Sequence, residues 1–437
     1  MSSRNQSANQ LVKLEKPVYG GACLAHVEGR AVFVPLTLPG EEARIRIAQS
    51  KSTFAEAEAE EIMSAAAGRV EAACPHFGSC GGCAYQHADY STQLEMKQAI
   101  LRETLQRAGV EPPEQIETLN AEPWGYRNRI RLAMDAAGNP GYRGRRSHAV
   151  TPVRECPIAA PLLAESALIL AEVAKKTAPS LKATEIALFA NGAPDQLLLT
   201  VLTASARKLH FEELCAALKE KIPTLHGAEL AVEDRRGGLP HTIARWGESS
   251  LRYTVAGFDY RVDHGAFFQV NRWLLEAMVE HVVAKGSGKL AWDLYAGVGL
   301  FARQLTRCYE RVIAVESAPC STQALAANLK GTRSAPVRAT TLDFLRKNNS
   351  GEKFQRPDRI VVDPPRAGLG AEVCSLLAKI AAPEVVYVSC DPATLARDLR
   401  MLIDAGYAIH SFALADLFPQ THHMESIVHL RRGASGC

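Results

Sequence analysis

The sequence predicts an α/β protein: a doubly wound, Rossmann-like parallel sheet in its C-terminal part, preceded by a small β-barrel and an α+β middle region. Three observations carry that expectation. The chain has 437 residues, more than a single hydrophobic core usually organises, so two or three domains are expected. Residues 11 to about 65 run in short apolar–polar alternations (LVKLEKPVYG, GACLAHVE, RAVFVPL, ARIRIAQ, FAEAEAEEI) punctuated by Gly20-Gly21 and Pro39-Gly40. Such a pattern suits about five short antiparallel strands curled into a barrel, a shape often used to bind oligonucleotides. From about residue 265 onward, nearly continuous apolar runs (LAWDLYAG, RVIAVES, DRIVVDPP, EVVYVSCDP) alternate with helical stretches, as parallel strands buried on both faces do.

Between these ends the elements follow in order. A cysteine-rich turn spans Cys74 to Cys83. A helix is expected over 90–108, where Leu94, Ile100, Leu101 and Leu105 fall close to helical spacing. From about 124 to 262, strand-like runs (IRLAMDA, EIALFAN, QLLLTVLTA, AELAVE, SLRYTV) alternate with helical ones (APLLAESALILAEVAKK, LHFEELCAALKEK), which predicts an α+β region. The expected division is 1–66, 67–262 and 263–437.

Composition bounds the class. Apolar residues make up 47% and charged residues 22%, an ordinary globular balance. The N-terminal MSSRNQSANQ is polar and lacks the apolar run of a signal peptide. No stretch reaches the roughly 18 uninterrupted apolar residues of a membrane helix. Eleven cysteines, an odd number scattered along a long chain, suit a reducing compartment, so a cytoplasmic protein without a membrane partner is expected. The net charge of +3 says little by itself. Arg127, Arg129, Arg131, Arg143, Arg145 and Arg146 are grouped against one acid, Asp135; the group suits either phosphate contacts or a solvated basic face.

Candidate chemistry gathers at the ends of the parallel strands, which face the ligand crevice of such a sheet. Asp293-Leu-Tyr-Ala-Gly297-Val-Gly299 ends one strand and opens a helix, and glycines there let a ligand approach the backbone. Glu316 closes the next strand, where an acid can accept both hydroxyls of a ribose. No third glycine follows in dinucleotide phase, so a mononucleoside-like cofactor is expected, and S-adenosyl-L-methionine (SAM) fits; an ordinary strand-to-helix turn is the alternative. Cys390 follows the run VVYVS and precedes Asp391-Pro392, a helix start whose positive end would favour a thiolate. A thiolate at that place suits a nucleophile; a buried packing cysteine is the alternative. Asp363-Pro-Pro-Arg366 also ends a strand. Amine methyltransferases often carry an aromatic where Arg366 stands, so carbon rather than exocyclic nitrogen is the expected methyl acceptor. Glu425, in FPQTHHMESIVHL, is a suitable proton-abstracting base, with a surface carboxylate as the alternative. Cys74, Cys80 and Cys83 form C-x5-C-x2-C, and Cys156 stands 73 positions after Cys83; three close thiols and a distant fourth suit a sulfur-ligated metal site, with zinc the generic occupant. Cys215, Cys308 and Cys374 read as packing residues, and Cys23, Cys320 and Cys437 have no motif around them. His422 and His423 are assigned no role.

Together these pieces resemble the uracil-C5 RNA methyltransferases, a family that includes bacterial 23S ribosomal RNA and tRNA enzymes. The resemblance spans nearly the whole chain. The barrel with Leu38-Pro39-Gly40-Glu41 looks like a TRAM domain, and CPHFGSCGGC looks like the family's iron–sulfur segment. GYRNRIRL, FFQVN, DLYAGVGLF, DPPRAGL, SCDPATLARDL and FPQTHHMES follow in the family's order. The resemblance implies a SAM-dependent methyltransferase fold and an RNA substrate, most like 23S ribosomal RNA, with tRNA as the alternative, and a monomer acting in rRNA processing. It implies Cys390 as nucleophile and Glu425 as base. It places SAM-contacting roles on Gln269, Tyr295, Glu316, Asp343 and Asp363, beside Gly297 and Gly299 of the turn, and a [4Fe–4S] cluster on Cys74, Cys80, Cys83 and Cys156. Gln269 and Asp363 would also hold the uracil. One position departs: many members carry asparagine after the second glycine of the turn, where this chain has Leu300. Two rival classes remain, a SAM-dependent amine methyltransferase and a non-catalytic RNA-binding protein with an inert methyltransferase fold.

Overall fold

The computed structural model describes residues 10–177, 181–204, 210–234, 240–284, 286–351 and 354–433. At the N-terminus lie β1 (Gln10–Lys13), β2 (Lys16–Val18), β3 (Ala22–Val27), β4 (Arg30–Pro35), β5 (Glu42–Ser50) and β6 (Phe54–Ser64), ordered β1-β5-β6-β4-β3-β2. The alternation works as expected: Val12, Cys23, Ala25, Val32, Val34, Ala43, Ile45, Ala55 and Ala57 turn inward to one core. The sheet has six strands rather than about five, and β4–β6 is a parallel pair. The short run LVKLEKPV divides at Leu14, which donates its N–H to Glu41 instead of continuing a strand.

Next come α1 (Tyr90–Arg107) and β7 (Glu117–Leu119). The Asp89 side chain caps α1 by accepting from the Thr92 N–H. The middle sheet contains β8 (Arg129–Met134), β9 (Pro140–Arg143), β10 (Val150–Pro152), β11 (Ala183–Ala190), β12 (Leu197–Thr203), β13 (Leu225–Val232) and β14 (His241–Gly247), in the order β10-β9-β8-β11-β12-β13-β14. Helices α2 (Pro161–Thr177) and α3 (Phe211–Lys221) supply Leu163, Leu170, Leu214 and Leu218 to the core beneath it. A hairpin, β15 (Ser250–Val255) and β16 (Phe258–Asp263), packs Leu251, Tyr253, Val255, Tyr260 and Val262 into the core of the C-terminal sheet.

That last part consists of α4 (Leu275–Val283), β17 (Gly288–Leu294), α5 (Leu300–Leu305), β18 (Tyr309–Glu316), α6 (Pro319–Asn328), β19 (Ser334–Arg338), α7 (Thr341–Lys347), β20 (Arg359–Val362), α8 (Gly370–Ile380), β21 (Glu384–Ser389), α9 (Pro392–Asp404), β22 (Tyr407–Ala415) and β23 (Glu425–Arg432). The strand order is β19-β18-β17-β20-β21-β23-β22-β7. The first five are parallel, but β23 runs antiparallel between β21 and β22. The all-parallel expectation fails there because β22 and β23 are joined by a loop with no crossover helix, and only an antiparallel pair can be connected that way. Strand β7 pairs in parallel with β22, so the chain contributes to this sheet's edge before forming the middle region. No helix among the described residues is long and apolar enough to cross a membrane.

Candidate functional site

The carboxyl ends of β20 and β21 and the start of β23 converge. Ser389 of β21 lies opposite Ser426 of β23, so the next step of the antiparallel register sets Cys390 beside Glu425. Asp363 directly follows β20, the other neighbour of β21. The three side chains feel one another. Burial pushes the Cys390 thiol up to about 12, and the Glu425 and Asp363 carboxylates add to it against Arg366. Burial raises Asp363 to about 7, opposed by the Gln269 amide, whose Nε2 donates to Oδ2 at 3.3 Å. Glu425 is pushed well above the ordinary carboxylate range by burial and by Asp363. Its Oε1 is buried with no hydrogen-bond partner among the described residues, the state of a group awaiting a ligand or proton.

The helix following Cys390 does not favour its thiolate as expected. Asp391 caps α9, its Oδ1 accepting from the Ala393 and Thr394 N–H groups at 3.0 and 2.9 Å. The free amides of the helix start are thus engaged by a carboxylate.

Beside this cluster lies the glycine turn. A pocket is lined by Phe267, Gln269, Tyr295, Gly297, Phe301 and Asp363, among others. Tyr295 has φ +63°, a left-handed conformation that a bulky residue rarely adopts. Gly297 also has positive φ, and a Cβ on it would meet nothing within 4 Å, so its backbone faces open space. Gly299 differs: a Cβ there would come within 2.7 Å of Leu325 Cδ1, so packing explains it. Glu316 accepts from Gly297 N at 2.8 Å with Oε2, and from Ser317 and Ala318 N at 2.7 Å with Oε1. It shapes the turn, and a carboxylate has lone pairs left for further donors. Asp343 stands apart from the lining residues. It is exposed in the first turn of α7, where its Oδ2 accepts the Thr340 hydroxyl at 2.7 Å. Leu300 is buried at the start of α5 and lines the pocket.

Cys74, Cys80, Cys83 and Cys156 line a second pocket together with Arg127 and Tyr142. Burial raises the thiols of Cys74, Cys80 and Cys83, the last to about 12, and Cys156 adds to each. No group of three His, Cys, Asp or Glu side chains among the described residues is drawn close enough to hold a metal ion. The sequence spacing therefore brings the four thiols to one pocket without forming a closed single-ion site.

Several residues the sequence reading passed over hold the loop between β22 and β23. The Ala84 and Tyr85 N–H groups both donate to the Gln420 carbonyl, at 2.9 and 3.0 Å. Gln93 of α1 pairs with Gln420 through its amide, Nε2 to Oε1 and Oε1 from the Gln420 N–H, each at 2.9 Å. Lys97, fully buried, donates to Asp416 Oδ1 at 2.6 Å and to the Phe418 carbonyl at 3.0 Å. Tyr126 OH reaches the Pro419 carbonyl at 3.1 Å. Asn128 holds the other wall, donating to the Gln269 carbonyl at 2.9 Å. A lysine and a glutamine, Lys97 and Gln93, among the apolar positions of α1 were the signal available in advance, because such groups are buried only when paired.

The arginine group does not form one phosphate-facing patch. Arg127 lines the cysteine pocket, Arg129 stacks over Phe189 at 4.1 Å, and Arg131 pairs with Glu185. Arg146 pairs with Glu56 of the barrel. Strand alternation and local acids disperse them. His422 and His423 lie with ring centroids 4.1 Å apart near Arg366. Of the six unassigned cysteines, Cys215 and Cys374 are buried as expected, whereas Cys308 is exposed; Cys437 lies outside the described residues.

Comparison with known proteins agrees with this arrangement. Residues 246–433 match the family model for tRNA (uracil-5-)-methyltransferases, and residues 5–59 match that for the TRAM domain. An RNA methyltransferase of Streptomyces avermitilis is 33% identical, covering 97% of this chain and 98% of its own. The 23S rRNA (uracil(1939)-C(5))-methyltransferase RlmD of Pseudomonas fluorescens is 32% identical, covering 96% of this chain and 93% of its own. Among solved structures, the Pyrococcus abyssi tRNA (uracil-54, C5)-methyltransferase, in complex with S-adenosyl-L-homocysteine, superposes with a TM-score of 0.76 at 22% identity, over 96% of this chain and all of that one; the likeness is one of fold.

Proposed function

The chain belongs to the family of RNA uracil-C5 methyltransferases, and from that premise we propose that it methylates C5 of a specific uridine in 23S ribosomal RNA, with SAM as methyl donor and Cys390 as covalent nucleophile. One observation carries the reading: the β21–β23 register brings a cysteine and a partnerless buried glutamate side by side, next to the open glycine turn. C5 of uracil is a weak nucleophile. The Sγ–H proton of Cys390 passes to solvent, and addition of the thiolate to C6 makes the S–C bond and moves the π electrons onto the O4 enolate, which enriches C5. C5 then takes the sulfonium methyl, and the donor leaves as S-adenosylhomocysteine. Glu425 removes the C5 proton, the C5–C6 double bond re-forms and the S–C bond breaks, returning Cys390. The target base would have to leave its stack to reach the thiol.

Gln269, Tyr295, Gly297 and Asp363 would hold the donor in the pocket they line, with Gly299 and Glu316 shaping the turn. Asp343, outside that lining, is proposed only as a rim contact. The barrel would grip flanking RNA. The division 1–66, 67–262 and 263–437 is retained as a working one, with α1 and β7 crossing to the last part's sheet. We also propose a [4Fe–4S] cluster on Cys74, Cys80, Cys83 and Cys156. Four half-buried thiols around one pocket suit a cationic group. A lone zinc, with its thiolates at about 2.3 Å, would need donors drawn together more tightly than the described ones are.

RNA containing 5-fluorouridine, incubated with SAM and the protein, tests the mechanism: fluorine on C5 cannot leave as a proton, so a denaturant-stable adduct through Cys390 is expected. Absence of any adduct alongside active methylation would refute the thiol route. Mapping 5-methyluridine in ribosomal RNA from cells with and without the gene tests the substrate; a lost site in tRNA instead would move the assignment there.

A further inference from the structure

The turn between β2 and β3 of the barrel reaches the catalytic cluster. The Tyr19 ring meets His422 edge-on, with centroids 5.8 Å apart and planes at 80°. Two residues on, Gly21 sits so close that a Cβ would come within 3.0 Å of Ala84 Cβ and 3.5 Å of His422 Cβ. The turn is therefore seated between the cysteine segment and the loop that precedes Glu425. Tyr19 also packs against the apolar core of the C-terminal sheet. Burial raises its hydroxyl to about 12, with Asp391 and Cys390 adding and Arg366 opposing.

We propose that Tyr19 is a positioning residue for the reaction, so that the barrel completes the catalytic pocket rather than only gripping RNA. Its ring, packed edge-on against His422, steadies the loop that leads into Glu425, three residues on. The charged groups facing it are Asp391 and Arg366, with His422 neutralised by burial. The inference rests on the reading of Cys390 as nucleophile.

The test uses the full chain and two variants. Tyr19→Ala is expected to lower kcat by about tenfold or more, within the range for misplaced reacting groups, with RNA KM held within about twofold. Iodoacetamide, followed by mass spectrometry of the Cys390 peptide, should label the thiol faster in that variant. A raised KM with unchanged kcat and unchanged labelling would overturn the proposal, leaving the barrel as an RNA grip. Should Tyr19→Ala not fold, Tyr19→Leu decides: loss of the ring contact with His422 should lower kcat by about two- to fivefold, and an unchanged kcat would overturn it. Cys390→Ala assayed in parallel separates the two readings, since its continued turnover would sink the nucleophile assignment while the labelling comparison still reports on Tyr19.

Discussion

The protein has two sulfur sites, and they differ in what surrounds the sulfur. In the pocket lined by Cys74, Cys80, Cys83 and Cys156, burial raises the thiols of Cys74, Cys80 and Cys83, and neighbouring sulfurs add to it, with Arg127 as the opposing cation at Cys80 and Cys83. At Cys390 burial raises a single thiol, and the carboxylates of Glu425 and Asp363 add to it, with Arg366 opposing. The first kind of crowding is relieved by a positively charged group bound between the sulfurs. The second is relieved by moving a proton. On the proposed reading the same side chain would serve as a ligand in one place and a reagent in the other, its neighbours deciding which.

The sharpest way to break this contrast is Cys390→Ala, expected to lower methyl transfer from labelled SAM by more than about 10³-fold while leaving iron content unchanged. Wild-type turnover in that variant would end the covalent account. Glu425→Gln comes next. Loss of the proton acceptor should cost about 10²–10⁴-fold in turnover, and because elimination stalls, an RNA–protein adduct should accumulate even with ordinary uridine on a denaturing gel; loss of rate with no adduct would mean Glu425 acts before methyl transfer. Cys83→Ser, at the other site, should abolish the brown colour of anaerobically purified protein and reduce kcat more mildly, through the loop that Ala84 and Tyr85 hold. Unchanged iron in that variant would refute the ligand assignment.

The smallest effect concerns pH. Asp363 and Asp293 are raised by burial to about 7 and about 8, so the folded state holds protons that the unfolded chain releases nearer pH 4. Their stabilising contribution is present below the unfolded values and is lost as pH rises through the folded ones. The melting temperature should therefore decline between about pH 4 and 8, and Asp363→Asn should flatten that decline. A variant with the wild-type slope would show that Asp363 is ionised throughout.

Much of this was legible in the sequence. The barrel, the cysteine turn, α1 and the strands of the last sheet follow from alternation, spacing and continuous apolar runs, since each is a local pattern. Cys390 and Asp363 were readable because residues at strand ends have few places to go. What was hidden depends on pairing between distant segments. The antiparallel β23 and the register setting Glu425 beside Cys390 need the sheet order. Lys97 and Asp416, or Gln93 and Gln420, are more than 300 positions apart, and nothing local announces such partners. The arginines misled for a related reason: counting charges says nothing of the acids and rings that meet them on neighbouring strands.

The two amides that hold Gln420 belong to the residues directly after Cys83. The parallel strands of the C-terminal sheet come from late segments, but its edge strand β7 and the anchor of the loop before Glu425 come from residues 84–119. Displacing the segment after Cys83 would therefore loosen the loop leading into Glu425 while leaving Cys390 on its strand end.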